Sequence, residues 1–418
     1  MVHGSLLSDI IVAVDIFHHP IWTQKAPTTA KTIPFYKRPF HLARFYAAKT
    51  YAKAFPRDLF VGITGTVGKT TTTVAASLVL EQKMKVLSTV PSLDPILNIP
   101  ITLLKVKPNI KKVILELGIE YPGEMDIYLS LVKPATAIVT NIAYQHSQFL
   151  GDLDGIASEK GKLVKQLPKK GLAILNYDDP MVRKMADETD AEVIFFGHDS
   201  KNSHVWAGNI KIENLRTTFE LNYGVERVKV DYPLLGIHQT YPALAAAALG
   251  LSEGISLSAI KRALEQMEPQ EHRLVALDGL NNSTILDDSY NGSPISVEAA
   301  LDTLMRIPAR RRIVVLGETK ELGKFSEEQH RRIARALFRD RVDLVILGTG
   351  DANFIADELT VLGFPTERME INCQNPQMAR KLIKVLGKGD VCLIKGSRSL
   401  RLDEVVERVV KKKGARVD

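Results

Sequence analysis

The sequence predicts an α/β protein with a central and a C-terminal domain, each built on a mostly parallel β-sheet, and a short N-terminal appendage. Short apolar runs alternate with helical patterns from Leu59 onward, which is typical of a parallel sheet covered by helices. A length of 418 residues gives room for about two to four domains. With 45% apolar and 25% charged residues the chain has a globular composition, which excludes a disordered or collagen-like protein.

Residues 1–56 form the predicted appendage. The apolar run Leu6–Phe17 is short, prolines punctuate the next stretch, and a basic, aromatic helix is expected from Phe40 to Ala54, ended by Pro56. The segment Ile16–Arg57 has no acidic residue and contains these cations: Lys25, Lys31, Lys37, Arg38, Arg44, Lys49, Lys53 and Arg57. Because most of the net charge of +7 lies here, we expect no nucleic-acid surface. Contact with phosphates or an anionic membrane surface and a merely solvated helix both stay open.

The central domain is predicted to span residues 57–269. Its expected strands are Leu59–Thr64, Lys85–Thr89, Lys112–Leu117, Ala135–Thr140, Leu172–Asn176 and Glu192–Phe196. Helical patterns lie between them, for example at Thr70–Gln82 and Leu153–Gln166. The polar and apolar residues of Lys201–Val230 alternate, which predicts an antiparallel extension, and Ala243–Leu249 predicts a tightly packed helix.

The C-terminal domain is predicted to span residues 270–418 and to be Rossmann-like. Its expected strands are Thr284–Asp287, Arg312–Leu316, Leu344–Leu347 and Val391–Ile394. One helix is expected at Ile295–Arg306, capped by Ser293. Another is expected at Glu327–Phe338, where Ser326 and Gln329 have the spacing of a capping box.

The compartment expected for this chain is the reducing cytoplasm. Its two cysteines, Cys373 and Cys392, make neither a disulfide framework nor a four-ligand zinc site. No apolar run approaches the ~20 residues that span a bilayer, and the first residues lack the charged and apolar regions of a signal peptide.

The strongest local signal is the run from Gly62 to Thr71, which reads GITGTVGKTT between a predicted strand and a predicted helix. It contains a variant phosphate-binding P-loop, in which glycines let backbone N–H groups converge on phosphate oxygens. The expected nucleotide contacts are Gly65, Thr66, Gly68, Lys69, Thr70 and Thr71. Lys69 would reach the β- and γ-phosphates and the Thr70 hydroxyl would bind Mg²⁺. The loop alone does not distinguish a motor, a GTPase, a kinase and a ligase.

Two further polar residues follow strands of the same predicted sheet. Glu116 ends one strand and His146 lies beyond the next. Because carboxyl ends of parallel strands meet at the ligand crevice, we expect Thr70, Glu116 and His146 to converge on a divalent metal and the γ-phosphate. Taken singly, His146 would more often be a structural loop residue and Glu116 a surface carboxylate.

These elements together resemble the Mur ligases, the ATP-dependent amide-forming enzymes of cell-wall precursor synthesis. The central motifs are Thr64–Thr72, Glu116–Gly118, Thr140–His146 and Lys160–Gly161. The C-terminal motifs are Leu286–Asn291, Val315–Gly323 and Lys395–Ser399, and the set is most similar to the branch that adds D-alanyl-D-alanine. The resemblance implies a central P-loop ATPase domain, a Rossmann-like ligase domain, ATP and Mg²⁺.

The resemblance also implies roles for individual residues. Lys69, Glu116, His146 and Lys160 would be catalytic, and the last three, with Thr70, would serve metal ions. Lys160 matches a lysine that is carbamylated in many members, where the new carboxylate holds a second Mg²⁺; a plain surface lysine is the alternative. Arg273 and Asp288 would contact the nucleotide, Asp288 through its ribose. The substrate contacts would be Asn291, Lys395, Ser397 and Arg398, the last suited to a carboxylate or the γ-phosphate.

The implied reaction activates a peptide carboxylate as an acyl phosphate, which the amine of an amino acid or dipeptide then attacks. The precursor peptide is expected to be a small molecule or lipid-linked. Two alternatives stay open: a Mur-like ligase with another acceptor (a folylpolyglutamate, a pseudomurein peptide or another poly-amino-acid), and a catalytically silent P-loop binding module.

The sequence departs from the family pattern at four places. About 56 residues precede the P-loop, fewer than the family's UDP-sugar-binding domain needs. Gln239 and Pro242 stand where the family usually has asparagines, so adenine contacts are expected to differ. Residues 95–100 match their motif loosely, and His272 replaces a glycine before Arg273.

Overall fold

The computed structural model describes residues 16–17, 19–22, 33–91 and 93–411. Apart from its last two residues, the predicted apolar run Leu6–Phe17 lies outside this part of the chain, as do Lys25 and Lys31. Within the described residues no helix combines the length and the apolar character needed to cross a bilayer. Two β-sheets organise the molecule, one before and one after residue 270, and the boundaries at residues 57 and 270 stay predictions.

The first sheet has nine strands in the order β2-β3-β1-β4-β5-β6-β7-β8-β9. They are β1 (Phe60–Thr64), β2 (Val86–Ser88), β3 (Lys112–Glu116), β4 (Thr136–Val139), β5 (Leu172–Asn176), β6 (Glu192–Gly197), β7 (Val205–Glu213), β8 (Arg216–Tyr223) and β9 (Glu226–Tyr232). Strands from β2 to β7 pair in parallel, and β8 and β9 add antiparallel pairs. The six predicted strands and the antiparallel extension are therefore confirmed.

Helices cover both faces of this sheet. They are α1 (Arg38–Ala52), α2 (Lys69–Glu81), α3 (Pro95–Leu103), α4 (Glu124–Leu131), α5 (Ser147–Leu150), α6 (Leu153–Lys165), α7 (Pro180–Lys184), α8 (Thr240–Ser252) and α9 (Leu257–Leu264). Side chains of α1, α3, α4 and α6 share one core with one face, and α2, α8 and α9 share a second core with the other. The basic helix α1 buries Phe45, Ala48 and Ala52, so it is part of the central core and more than an appendage.

The second sheet has the order β10-β11-β15-β12-β13-β14 and is parallel except for the β10–β11 pair. Its strands are β10 (Val275–Asp278), β11 (Thr284–Asp288), β12 (Arg312–Leu316), β13 (Leu344–Leu347), β14 (Met369–Glu370) and β15 (Val391–Lys395). Its helices are α10 (Pro294–Arg306), α11 (Ser326–Arg339), α12 (Asn353–Val361), α13 (Asn375–Val385) and α14 (Asp403–Val409). Two apolar cores lie on its two faces, as the Rossmann-like prediction requires.

The predicted capping box before α11 is wrong. Ser326 is the first residue of the helix, and its hydroxyl hydrogen-bonds Asp351 and His330. Gln329 is buried with its Oε1 atom unpartnered. The spacing of Ser326 and Gln329 therefore arose without the cap, because tertiary partners satisfy the serine. Ser293, by contrast, stands at the N-cap position of α10 as predicted.

Candidate active site

The loop between β1 and α2 has the shape of a phosphate cradle. Gly65 has φ +137°, and a Cβ there would lie 1.9 Å from the Thr140 Oγ1 atom, so only glycine fits. Gly68, with φ +84°, is the N-cap residue of α2. The Lys69 Nζ atom donates to the carbonyls of Gly65 and Thr66 at 2.9 and 2.8 Å. The loop is thus held over the first turn of α2, whose N–H groups attract anions.

Oxygen ligands lie next to this loop. The Thr70 hydroxyl donates to Glu116 Oε1 at 3.0 Å, because β1 and β3 are neighbours and end at the same edge. This hydroxyl and carboxylate are the hard donors that Mg²⁺ prefers. In the described part of the chain, no three His, Cys, Asp or Glu side chains could share a metal ion. Water, phosphate oxygens or a modified side chain would have to complete the coordination of Mg²⁺ at Thr70 and Glu116.

His146 lies where the central and C-terminal lobes meet. Its backbone is left-handed, with φ +56°, and its Nδ1 atom lies 2.5 Å from Glu321 Oε2. The Ser147 hydroxyl donates to the carbonyl of Leu322, and the rings of Tyr144 and Phe325 pack 4.7 Å apart between centroids. His146 thus lies both near the strand ends where the sequence predicts a metal site and at the contact between the lobes.

Lys160 is a buried lysine on α6, with 3% of its surface exposed. Burial lowers its pKa well below the ordinary value, and the charge of Lys69 lowers it further. Three carboxylates, Glu124, Glu159 and Glu120, oppose the shift. The alternative of a plain surface lysine is therefore wrong, because the side chain is enclosed.

The C-terminal sheet contributes a second polar cluster. Asp288 ends β11 and Lys395 ends β15, and the two are register partners joined by a 2.6 Å ion pair. Lys395 also donates to the Asn291 carbonyl at 2.9 Å. Burial raises the pKa of Asp288, whereas the charge of Lys395 opposes the rise. The ion pair fixes this end of the sheet and leaves little net charge.

Two arginines lie against one aromatic ring of this lobe. The guanidinium carbons of Arg273 and Arg398 lie 4.0 and 5.3 Å from the Tyr290 ring centroid. Arg398 Nη1 is buried and has no hydrogen-bond acceptor among the described residues; its ion pair with Asp403 is long, at 3.8 Å. The Ser397 hydroxyl accepts from the Lys320 N–H group. Arg398 is therefore the group best prepared to receive an anion.

Both lobes line one cavity of about 950 Å³. The predicted residues on its wall are Thr66, Gly68, Lys69, Thr70, Thr71, Glu116, His146, Arg273, Asp288, Asn291, Lys395, Ser397 and Arg398. Gly65 and Lys160 are the members of the predicted set that do not line it. The structure thus brings the two halves of the predicted site together, with Lys69 and Asp288 facing the same space.

The cavity also contains residues that sequence reasoning missed. His19 and Ile21 of the N-terminal region line it, together with Asp94, Glu120, Tyr121 and Glu124. Glu120 and Glu124 follow Glu116 at intervals of four residues just after a strand end, which is a usable signal. His19 lies about 40 residues before the P-loop strand, and only tertiary packing brings it to the site.

The segment of residues 236–242, where two family asparagines are missing, also contributes to the cavity wall. Gly236 has φ +115°, and Gln239, Tyr241 and Pro242 lie on the cavity wall. The Tyr241 hydroxyl donates to Asp178 at 3.0 Å, and its ring stacks on His198 at 4.4 Å. A fixed aromatic side chain therefore lies beside the position of the missing asparagine amides.

Comparison with known proteins agrees with this architecture. The Mur ligase middle domain matches residues 63–250, and the Mur ligase, glutamate ligase domain matches residues 258–398. The UDP-N-acetylmuramoyl-tripeptide--D-alanyl-D-alanine ligase of Escherichia coli (strain K12) is 32% identical over 349 residues, covering 83% of this chain and 75% of that protein.

Two solved structures show the same fold. MurF from Acinetobacter baumannii superposes with a TM-score of 0.80 at 24% identity, over 88% of this chain and 80% of that chain. MurF ligase from Thermotoga maritima in complex with ADP gives 0.78 at 22% identity, over 88% and 83%. The P-loop, the cavity between two lobes and these matches lead to one conclusion. The chain belongs to the Mur ligase family of ATP-dependent, ADP-forming ligases, which join a carboxyl group to an amine.

Proposed function

We propose that this chain joins D-alanyl-D-alanine to the terminal carboxyl group of a UDP-N-acetylmuramoyl-tripeptide, with hydrolysis of ATP to ADP and phosphate. The observation that carries the proposal is the single cavity into which Lys69 projects from one lobe and Asp288, Lys395 and Arg398 from the other. The Escherichia coli relative, 32% identical, bears the name of this activity.

In the first step an oxygen of the acceptor carboxylate attacks the γ-phosphorus, and the bond from that phosphorus to the bridging oxygen breaks, releasing ADP. Two anions must meet, so the site has to offset their repulsion. Lys69 and the N–H groups at the start of α2 do so from one side, and Arg398 from the other. Thr70 and Glu116 would hold Mg²⁺, which would supply further positive charge to the phosphate oxygens.

In the second step the amine of the dipeptide attacks the acyl carbon. The bond from carbon to phosphate oxygen breaks, phosphate leaves, and the nitrogen loses a proton. Arg398 is suited to hold the carboxylate of the dipeptide, because its Nη1 atom has no acceptor in the described structure. The contact between the lobes keeps water from the acyl phosphate.

Lys160 is proposed to act as a carbamate. Only a neutral amine adds to CO₂, and the lowered pKa of Lys160 favours that form. The product is a carboxylate, an oxygen donor of the kind that could hold a second Mg²⁺.

The assay for the proposed function is phosphate release from ATP and Mg²⁺ with and without each organic substrate. We expect phosphate release to require both the UDP-linked tripeptide and D-alanyl-D-alanine. The amide product should form in an amount equal to the phosphate released. Lys69→Ala should lower the rate by about 100-fold or more, because its charge faces the transferred phosphoryl group. Lys169→Ala, which removes a charge from an exposed lysine, is the control. No release with this pair of substrates contradicts the proposal.

We also propose that helix α1 and the residues just before it rest on an anionic lipid surface, where a lipid-linked acceptor would be found. Phe35, Tyr36 and Phe40 are 79%, 75% and 61% exposed. Cations lie over their rings: Lys37 over Tyr36, Arg38 over Phe35 and Arg44 over Phe40. Exposed aromatic rings next to lysine and arginine are typical of the interface of anionic membranes.

Sedimentation with vesicles tests this surface. Binding to vesicles containing phosphatidylglycerol is expected at low salt, with little binding to phosphatidylcholine alone. Substitution of both Phe35 and Phe40 by serine should weaken it, whereas Val361→Ser, which removes an equally exposed apolar side chain elsewhere, should not. Equal sedimentation of the double variant and the wild type would show that Phe35 and Phe40 do not contact the lipid surface, which contradicts the proposal.

A further inference from the structure

The loop that follows β4 connects the P-loop to the C-terminal lobe. At its start the Thr66 N–H group donates to the Asn141 carbonyl at 2.8 Å, and the Ala143 N–H group donates to the Thr66 hydroxyl at 3.0 Å. At its end His146 lies against Glu321 of the other lobe. The two residues between these anchors are therefore held where the phosphate-binding loop meets the second half of the cavity.

These two residues, Tyr144 and Gln145, direct their side chains to different places. The Tyr144 ring packs on Phe325 and lies off the cavity wall, whereas Gln145 lines the cavity. The Gln145 Oε1 atom is enclosed and has no hydrogen-bond partner among the described residues. Most buried polar side-chain atoms have a partner. This oxygen therefore marks a position on the cavity wall for a hydrogen-bond donor or a cation.

Most polar groups of the substrates cannot occupy this position, because they are acceptors themselves. The phosphate oxygens of ATP and the carboxylates of the acceptor peptide and of the dipeptide would be repelled by an amide oxygen. The groups that remain are Mg²⁺, water and the nitrogen groups of the two peptides.

Mg²⁺ and water are the poorer candidates. Mg²⁺ needs six ligands and is held mainly by carboxylates and substrate phosphates, so that one neutral amide oxygen is a weak site for it. A water molecule fixed beside the transferred phosphoryl group would attack the acyl phosphate, which a ligase has to prevent. The attacking amine, in contrast, has to come to the acyl carbon and carries N–H groups.

We propose that the Gln145 amide oxygen accepts a hydrogen bond from the amine of the dipeptide while that amine attacks the acyl phosphate, which makes Gln145 a further catalytic residue of the second step. This inference rests on the proposed function. The bond between the nitrogen and the acyl carbon forms, and the bond from that carbon to the phosphate oxygen breaks. Phosphate leaves with the electron pair, and the nitrogen gives one proton to the departing phosphate or to water.

A neutral acceptor suits this amine better than a carboxylate does. The amine has to be unprotonated to attack, and a carboxylate beside it would raise its pKa and keep it cationic. An amide oxygen orients one N–H group and leaves the nitrogen lone pair free to face the acyl carbon. Because the nitrogen becomes positive as the new bond forms, the hydrogen bond is stronger in the transition state than in the bound substrate.

The test measures the two steps separately. Enzyme, Mg²⁺, ATP and the UDP-linked tripeptide are mixed and quenched, and borohydride reduction gives the amount of acyl phosphate. D-alanyl-D-alanine is then added, and the amide product is measured. Gln145→Leu, which nearly keeps the size of the side chain and removes its oxygen, should form acyl phosphate within about twofold of the wild-type rate and amide about tenfold or more slowly.

Gln266→Leu is the matched control, because it makes the same exchange at an exposed glutamine just after α9. Both of its rates should equal those of the wild type. Gln145→Glu gives a readout that altered packing would not change. Its carboxylate should raise the pKa of the bound amine, so the pH profile of amide formation should move to higher pH by about one unit.

Three results would overturn the inference. They are amide formation by Gln145→Leu at the wild-type rate, an equal loss of both steps in that variant, and an unchanged pH profile in Gln145→Glu. The proposed function is judged by the wild type alone. No amide from the wild type contradicts the function and the inference with it, whereas amide from the wild type without an effect of Gln145→Leu contradicts the inference only.

Discussion

Lys160 illustrates how burial changes the chemistry of one residue. A lysine in water is cationic and repels Mg²⁺, whereas in α6 the cost of burying the charge favours the neutral amine. The same helix carries Lys162, which forms ion pairs with Asp126 and Glu159 near the surface. Two lysines two positions apart therefore differ in reactivity because α6 turns one inward and the other outward.

Lys160→Ala is expected to lose ligase activity and to regain part of it when a short carboxylate such as acetate is added, because the added group can occupy the place of the carbamate. Phosphate release is measured against acetate concentration. Lys162→Ala, on the same helix, should keep its activity and show no response to acetate. A folded Lys160→Ala protein that acetate does not restore argues against the carbamate.

His272 has a backbone conformation that suits glycine. Its φ is +62°, in the left-handed region, and it occupies the position where the family has a glycine. Its ring Nδ1 atom lies 2.7 Å from Asp287, a carboxylate that also accepts from the Ser289 hydroxyl. The side-chain hydrogen bond offsets the backbone strain, which explains how a histidine is tolerated before Arg273.

A pair of substitutions separates strain from hydrogen bonding at this position. Both His272→Gly and His272→Ala lose the contact with Asp287, but only alanine retains the strain. His272→Ala should therefore be less stable than His272→Gly by about 1 kcal/mol, measured by urea denaturation. Equal stability of the two variants would show that the backbone at this position is unstrained.

Helix α11 is attached to the cavity wall through a buried, neutral histidine. His330 Nε2 accepts from the Thr319 N–H group at 3.0 Å, and Nδ1–H donates to the Ser326 carbonyl at 2.7 Å. Burial lowers the pKa of His330. The hydrogen bond to Ser326 and the negative charges of Asp351 and Glu318 act in the opposite direction. Protonation would remove the acceptor on which the loop around Thr319 depends.

The contact between α11 and the loop around Thr319 should lose stability in acid. Because the pKa of His330 is lower in the folded than in the unfolded protein, the unfolded state binds more protons once the pH falls below about 6.5. Stability is then fully present above that value and falls as the pH decreases toward the folded pKa, by at most about 1.4 kcal/mol per pH unit. Unfolding of the wild type and of His330→Gln is compared between pH 7 and pH 5.

The wild type should lose more stability than His330→Gln, since glutamine can accept and donate without binding a proton. His204→Gln, a change at an exposed histidine, is the control and should follow the wild type. Identical slopes for the wild type and His330→Gln would mean that the acid sensitivity of the protein arises elsewhere.

At the scale of the whole molecule, the site exists only where the lobes meet. Tyr144 packs on Phe325, Ser147 binds the Leu322 carbonyl, and the Gln148 N–H group donates to the Glu321 carbonyl. The loop after β4 thus packs against the loop before α11, next to the strand ends where the sequence predicts a metal site. We expect this contact to help exclude water from an acyl phosphate formed in the cavity.

Phe325→Ala should weaken that closure and uncouple the reaction. We expect more phosphate than amide product, because water then competes with the amine for the acyl carbon. The ratio of phosphate to product is measured at saturating substrates. Phe338→Ala, on the same lobe but away from the contact, should keep a ratio of one. A ratio of one in Phe325→Ala would mean that this contact does not exclude water.

Much of the fold was predictable because its signals are local. Each predicted strand lies within one or two residues of its observed bounds, since buried parallel strands are short apolar runs with polar ends. The P-loop was predictable for the same reason: Gly65 and Gly68 are needed for conformations that a few neighbouring atoms impose. The capping box predicted at Ser326 was wrong because the hydrogen-bond partner of this serine, Asp351, is 25 residues away along the chain.

By itself, the sequence determined the two α/β sheets, the phosphate loop and the membership of a ligase family, because these depend on periodicity, on glycine and on a fixed order of short motifs. Only the tertiary structure decided that His19 supports Glu124, that Lys160 is buried, and that the enclosed Tyr121 hydroxyl has no hydrogen-bond partner among the described residues. The reason is physical: charge state and hydrogen bonding depend on which distant groups exclude water from a side chain, and spacing along the chain does not encode that.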